Sequence, residues 1–260
     1  MNYAVIGGTG LEHLALAEWQ DLSQDTPYGR VEVKIGEIQS QEVVFISRHG
    51  SRHALPPHLV NYRANLWAFR ELGVTKVLAT AAVGSLSPTY RLGDVVLLDQ
   101  FLDFTKQRPL TFYEGGEQGV LHVDMTEPYC RELRGVIREA GQTQGIVVKD
   151  GATYVCTEGP RFETPAEIRM FQSLGGEVVG MTSVPEVVLA RELGMCYASM
   201  SLVTNEAAGI SQVPLSHKEV VGSLQDSSQT VARLLEHTLA RLTPKRRCAC
   251  SLAAAEAGKF

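Results

Sequence analysis

Short β-branched runs alternate with helical stretches along the whole chain, and that alternation restricts the possible architecture more than any other feature. The runs fall at residues 3–6, 31–35, 43–47, 76–80, 95–98, 153–156, 177–179 and 197–203. Several of them, VVFIS and VLAT among them, are almost wholly apolar, as strands covered on both faces are. Helical patterns lie between. Residues 61–72 close on Gly73, and residues 127–140 put Leu133, Val136 and Ile137 on one face before Gly141. Thr164-Pro165-Ala166-Glu167 combines a capping box with proline at the first helical position, and Ile168, Phe171 and Leu174 follow at helical spacing. Ser216-His217-Lys218-Glu219 repeats the box ahead of a last helix that runs to about residue 242. This order predicts an α/β fold with a mostly parallel or mixed central sheet flanked by helices.

No Pro-, Ser- or charge-rich linker divides the 260 residues, and with 44% hydrophobic content they can bury one large core. The reading is therefore one domain over residues 1–244, with residues 245–260 as a loosely ordered tail. A net charge of −5 opposes a general nucleic-acid binder, which needs a basic face for phosphates. No apolar run approaches the roughly 18 residues of a spanning helix, and MNYAVIGGTG has no basic start before its apolar stretch. A cytoplasmic protein with no membrane partner is expected. The five cysteines, Cys130, Cys156, Cys196, Cys248 and Cys250, are odd in number and mostly in apolar surroundings, which fits reduced buried thiols. Their spacing matches no ordinary zinc motif, so no metal is expected; Cys248-Ala-Cys250 reads as an incidental tail, with a redox clip or metal-binding remnant as the alternative.

The turn IGGTGL after the first run invites a dinucleotide reading but does not complete one. Gly8-Thr9-Gly10 supplies two glycines, His13 stands at the third position, and Asp25 does not clearly end a second strand. What remains is a glycine-rich turn whose N–H groups and Thr9 hydroxyl can hold a small anion. Ser47-Arg48-His49-Gly50, trailed by Arg52, His53 and His58, offers a second anion site, since arginine pairs with phosphate oxygens; a solvated basic loop is the bland alternative. The small residues of TAAVGSL, residues 80–86, let backbone approach a ligand and make a third. Three such strand-end turns in one α/β chain suggest a common phosphate pocket.

These segments, together with RHG, PPHLVNYRANLWAFRELGVT, GDVVLLDQFLDFTKQRPLTFY, EGPRFETPAE and VGMTSVPEVVLARELGMCYASMSLVTN, occur in an order that resembles the trimeric purine nucleoside phosphorylase / methylthioadenosine phosphorylase family from residue 3 to about 240. The resemblance implies a single-domain nucleoside-phosphorylase fold and a homotrimer, or a dimer of trimers, with sites near subunit boundaries. It implies phosphorolysis, in which inorganic phosphate as co-substrate takes the pentose from a purine nucleoside, with no metal or organic cofactor. Carried over by motif, Thr9, Arg48, His49, Ala82 and Thr182 hold phosphate, Met181 lies against the ribose, and Asn205 and His49 are the catalytic pair. Ala81 stands where relatives often carry Thr or Asn, so one contact is expected to be missing.

Within that resemblance the base site is distinctive. Phe162 offers a flat surface for a purine, and Glu163 an acceptor for the N1–H that inosine and guanosine carry and adenine lacks. Asn205 matches the position that meets N7 and O6, where an amide donates and accepts. Relatives that cleave methylthioadenosine carry Ser and Asp at these two positions, so Glu163 with Asn205 favours 6-oxopurines. Each residue also has a plain reading: Glu163 as a helix-dipole partner, Phe162 as core, Asn205 as a turn residue. The 5′ end of the sugar stays open. His217 matches a histidine that meets the 5′-hydroxyl in inosine and guanosine enzymes, while His122 matches a residue that reaches the neighbouring subunit's pocket in the 5′-methylthio branch. The expected activity is cleavage of inosine and guanosine in purine salvage. The alternatives are a methylthioinosine or methylthioadenosine phosphorylase, or a non-catalytic nucleoside-binding protein on the same scaffold.

Overall fold

A computed structural model describes residues 1–8, 19–50, 54–210 and 217–256, the side chains of 217–226 and 256 excepted. Its strands are β1 Tyr3–Gly7, β2 Gln20–Thr26, β3 Gly29–Ile38, β4 Gln41–Ser47, β5 Lys76–Ser85, β6 Val95–Phe104, β7 Val148–Thr157, β8 Val178–Gly180 and β9 Cys196–Glu206. Its α-helices are α1 Tyr62–Glu71, α2 Arg131–Gln144, α3 Pro165–Ser173, α4 Ser183–Glu192, α5 His217–Leu239 and the short α6 Ala253–Glu256. Among the described residues the strands form one mixed sheet in the order β2-β3-β4-β1-β5-β8-β7-β6-β9, and a parallel β5–β9 pairing closes its far half on itself.

Period-two alternation explains how the apolar runs serve both faces at once. Ala4, Ile6, Val77, Ala79, Val96 and Leu98 belong to a core shared with α1 and α4, which contribute Leu66, Phe69, Val187 and Leu189. Their immediate neighbours Val5, Leu78, Val95 and Leu97 point the other way, onto Leu133 and Ile137 of α2 and Leu234 and Leu235 of α5. A strand flanked by helices on both sides has no polar face to show, which is why these runs do not alternate in the sequence.

Besides the short α6, two longer elements escaped the sequence reading. The strand β2 is polar, QDLSQDT, and half exposed at the sheet edge, held by antiparallel pairing to β3 rather than by apolar burial. The helix α4, SVPEVVLARE, is buried almost all round, so it lacks the one-sided pattern that marks a surface helix. The helix expected from residue 127 starts at Arg131, after Pro128, with Cys130 at its N-cap making no side-chain cap bond. The predicted capping box of α3 is present: Glu167 N–H donates to Thr164 Oγ1 at 3.2 Å and Thr164 N–H to Glu167 Oε2 at 2.7 Å. Ser216, the residue expected to begin the last helix, lies outside the described residues, and α5 is described from His217.

Residues 245–256, expected to be loose, pack against the body. Lys76 Nζ donates to the carbonyls of Thr243 and Lys245 at 2.6 and 3.0 Å, and Glu132 accepts from the Arg247 and Cys248 N–H groups at 2.7 Å each. Cys250 is 5% exposed within the core beneath α2.

Candidate active site

The ends of four strands and the loop before α3 surround a cavity of about 500 Å³, a size suited to a small organic ligand. Arg48 and His49 enter it from the end of β4, and Ala81, Ala82 and Gly84 from β5. Gly180, Met181 and Thr182 come from β8 and the start of α4, Thr204 and Asn205 from β9, and Phe162 and Glu163 from the loop after β7. The sheet thus brings together Arg48, His49, Ala82, Phe162, Glu163, Met181, Thr182 and Asn205. Thr9, Arg52 and His53 lie outside the described residues, as does the side chain of His217. His122 is exposed and does not line the cavity of its own chain, and His58 is exposed on the 3-10 turn Pro57–Leu59.

The cationic end is built around a carboxylate that the sequence reading passed over. Arg48 is buried and forms a two-pronged pair with Glu186 of α4, Nε to Oε2 and Nη2 to Oε1, both at 2.7 Å. Arg48 Nη1 also donates to the Thr80 carbonyl at 2.8 Å, and Tyr197 donates its hydroxyl to Glu186 Oε1 at 2.6 Å. Burial acts to lower the Arg48 pKa, but the Glu186 carboxylate outweighs it and the net shift is upward. The guanidinium is therefore a fixed cation, with two of its five N–H groups not committed to these partners. The signal for Glu186 was available: a single charge inside VPEVVLA has no place in a buried helix unless it is paired.

Gly8 is what permits this packing. A Cβ there would sit 2.4 Å from the Thr80 carbonyl oxygen and 2.8 Å from Arg48 Nη1, while its N–H donates to Thr80 Oγ1 at 2.9 Å. Gly8→Ala is expected to cost about 1–3 kcal/mol through overpacking and to displace Arg48. Denaturant unfolding and the KM for phosphate measure the two effects; an unchanged phosphate KM would contradict the link.

His49 Nδ1 donates to the Leu55 carbonyl at 2.8 Å, which fixes the tautomer with its proton on Nδ1. Thr182 stands at the N-cap of α4 without a side-chain cap bond, and its N–H donates to the Tyr154 hydroxyl at 3.1 Å. The other residues bring an aromatic ring and two hydrogen-bonded polar side chains to the cavity. Glu163 is 8% exposed and accepts the Thr157 hydroxyl at 2.6 Å on Oε1. Burial raises its pKa, opposed by the Thr157 hydrogen bond. Asn205 Oδ1 accepts the Thr204 hydroxyl at 3.0 Å and Nδ2 donates to the Glu206 carbonyl at 2.9 Å, leaving amide capacity on both atoms. The β5–β9 register slips between Val83 and Gly84, so that Gly84 faces Asn205, and a Cβ on Gly84 would lie 3.0 Å from Asn205 Nδ2. Arg108, also unforeseen, ties the walls together: it donates to the carbonyls of Met181 and Val184 at 2.7 and 2.8 Å and of Thr157 and Glu158 at 3.2 and 2.7 Å.

Residues 2–240 match the phosphorylase superfamily. The chain belongs to that superfamily. Among its relatives, the 6-oxopurine nucleoside phosphorylase of Pyrococcus furiosus is 48% identical, with 95% of each chain covered. A Methanopyrus kandleri protein named "Probable S-methyl-5'-thioinosine phosphorylase" is 52% identical over 96% of each. Of solved structures, methylthioadenosine phosphorylase from Schistosoma mansoni in complex with adenine superposes with a TM-score of 0.92 at 32% identity, covering 98% of this chain and 96% of that one. The single-domain mixed sheet flanked by helices is thus the phosphorylase fold, and the cavity lies where an α/β sheet of this kind offers its strand ends to a ligand.

Proposed function

We propose that this phosphorylase cleaves 6-oxopurine nucleosides, inosine and guanosine, with orthophosphate to give the free base and ribose 1-phosphate. The observation that carries the reading is the pair Glu163 and Asn205 lining one cavity with Phe162, each polar side chain held by a threonine hydroxyl. A carboxylate accepts the N1–H of a 6-oxopurine and opposes the bare N1 of adenine. The amide donates to N7 as negative charge gathers on the departing purine, and interactions that strengthen in that state are the ones that accelerate cleavage. Phosphate lies against the sugar, held by Arg48, His49, Thr182, the Ala82 backbone and Thr9, with Met181 against the ribose. The phosphorolysis uses no metal or organic cofactor. The same reading takes the protein as a cytoplasmic homotrimer, or a dimer of trimers, acting in purine salvage, with His217 at the 5′-hydroxyl and His122 reaching a neighbouring subunit's pocket.

A methylthioinosine phosphorylase is the second reading, favoured by the exposure of His122 and by the relative of that name. Cleavage of inosine, methylthioinosine and methylthioadenosine, each with and without phosphate, separates the two. Preference for methylthioadenosine would overturn the roles given to Glu163 and Asn205.

Glu163→Gln is expected to lower kcat/KM for inosine roughly 10- to 100-fold, the cost of an N1–H left facing another donor. The pH profile gives an independent check. The ionised carboxylate is the acceptor and its pKa is raised, so inosine cleavage falls on the acid side at pH values above the ordinary glutamate range; Glu163→Gln lacks that limb. For stability the sign is reversed. The folded state holds this proton more tightly than the unfolded chain, so the contribution of Glu163 is largest at acid pH and declines as pH rises through its raised pKa.

A further inference from the structure

Far from the cavity, the fold gathers four of the five cysteines into one cluster. The sulfurs of Cys130, Cys196, Cys248 and Cys250 all lie within 4.8 Å of one another, and none of them is in a disulfide. They come from the start of α2, the start of β9 and the C-terminal segment, so no local sequence motif announces them. We propose that these four cysteines bind a structural zinc ion, against the expectation of no metal drawn from their spacing.

Three observations support the assignment. A tetrahedral zinc tetrathiolate, with Zn–S of about 2.3 Å, has sulfurs about 3.8 Å apart along every edge, and a mutual four-way approach within 4.8 Å needs only small adjustments to meet it. Positive charge lies close to the cluster. Cys130 stands at the N-cap of α2 without capping it, where the helix dipole stabilises negative charge, and Arg191 Nη1 donates to Cys250 Sγ at 3.5 Å. Finally, an access route exists: a crevice of about 330 Å³, lined by Arg131, Arg191 and Arg247 with Glu127 and Glu132, opens onto Cys130, Cys248 and Cys250. On binding, the four thiols release four protons and the site carries two net negative charges, which the neighbouring arginines offset. With four protein sulfurs the coordination is complete, so the ion has no open position for chemistry and serves to pin residues 248–250 to α2 and β9.

The full chain, purified with thiol reductant from zinc-supplemented medium, is expected to hold about one zinc per chain by elemental analysis. Cys248→Ser with Cys250→Ser drops this below about a tenth, whereas Cys156→Ser, which changes the cysteine outside the cluster, leaves it intact. Cobalt(II) exchanged into the wild-type chain gives the intense d–d and thiolate charge-transfer bands of a tetrahedral tetrathiolate, a readout that does not depend on any variant folding. Chelation lowers the melting temperature while phosphorolysis at low temperature is unchanged. The proposal is overturned by four zinc-free titratable thiols under these conditions, by two disulfides linking the four cysteines, or by a cobalt spectrum without thiolate bands.

Discussion

Asn205→Ala is expected to lower kcat/KM for inosine by about 100- to 1,000-fold, the usual cost of removing one donor aimed at developing charge. On the proposed reading the departing hypoxanthine becomes anionic as the glycosidic bond lengthens, and the Asn205 amide is the donor that meets it. Thr204 and Glu206 fix its two ends, the register slip at Gly84 turns it into the cavity, and the absence of a side chain on Gly84 leaves it room. The loss falls mainly in kcat, because an interaction realised only as charge develops does not hold the ground state. The KM for phosphate is expected to change by less than about threefold, since the groups proposed to hold phosphate belong to other elements. Steady-state kinetics with each substrate varied in turn make the measurement. A matching rise in phosphate KM would remove Asn205 from the base.

The second large effect is at Glu186. Glu186→Ala is expected to destabilise the fold by about 3–5 kcal/mol, because it leaves the Arg48 guanidinium charged and unpaired in the interior. Glu186→Gln keeps the shape and an acceptor for Tyr197 but not the charge. It is expected to raise phosphate KM by at least about tenfold, with a smaller change in nucleoside KM. The pair Arg48→Met with Glu186→Gln tests the physical reason: removing both charges restores much of the lost stability, as apolar replacements of buried pairs do, yet turnover with phosphate does not return. Recovery of phosphate-dependent activity in that double variant would show that Arg48 does not face the anion.

How much of this was legible without coordinates varies from residue to residue. The apolar strands and the capped start of α3 were, because a strand between two helical layers and a helix N-terminus each impose their own local chemistry. β2 and α4 were not. An edge strand is stabilised by a partner distant in sequence, and a fully surrounded helix has no polar side for periodicity to reveal. Phe162, Glu163 and Asn205 were singled out by motif and line one cavity, but the hydroxyls of Thr157 and Thr204 that hold two of them sit on strand ends and carry no signature of their own.

The sequence by itself determined the layered α/β architecture and the side-chain types that the motif segments bring to the cavity, since both follow from residue type and short-range order. Tertiary structure alone decided that Arg48 is paired with Glu186, 138 positions away, and that four cysteines spread from position 130 to 250 meet at one point. The physical reason is common to both. Burying a charge or gathering thiols depends on which strands become neighbours, and neighbours across a crossover connection leave no period or spacing in the chain that joins them.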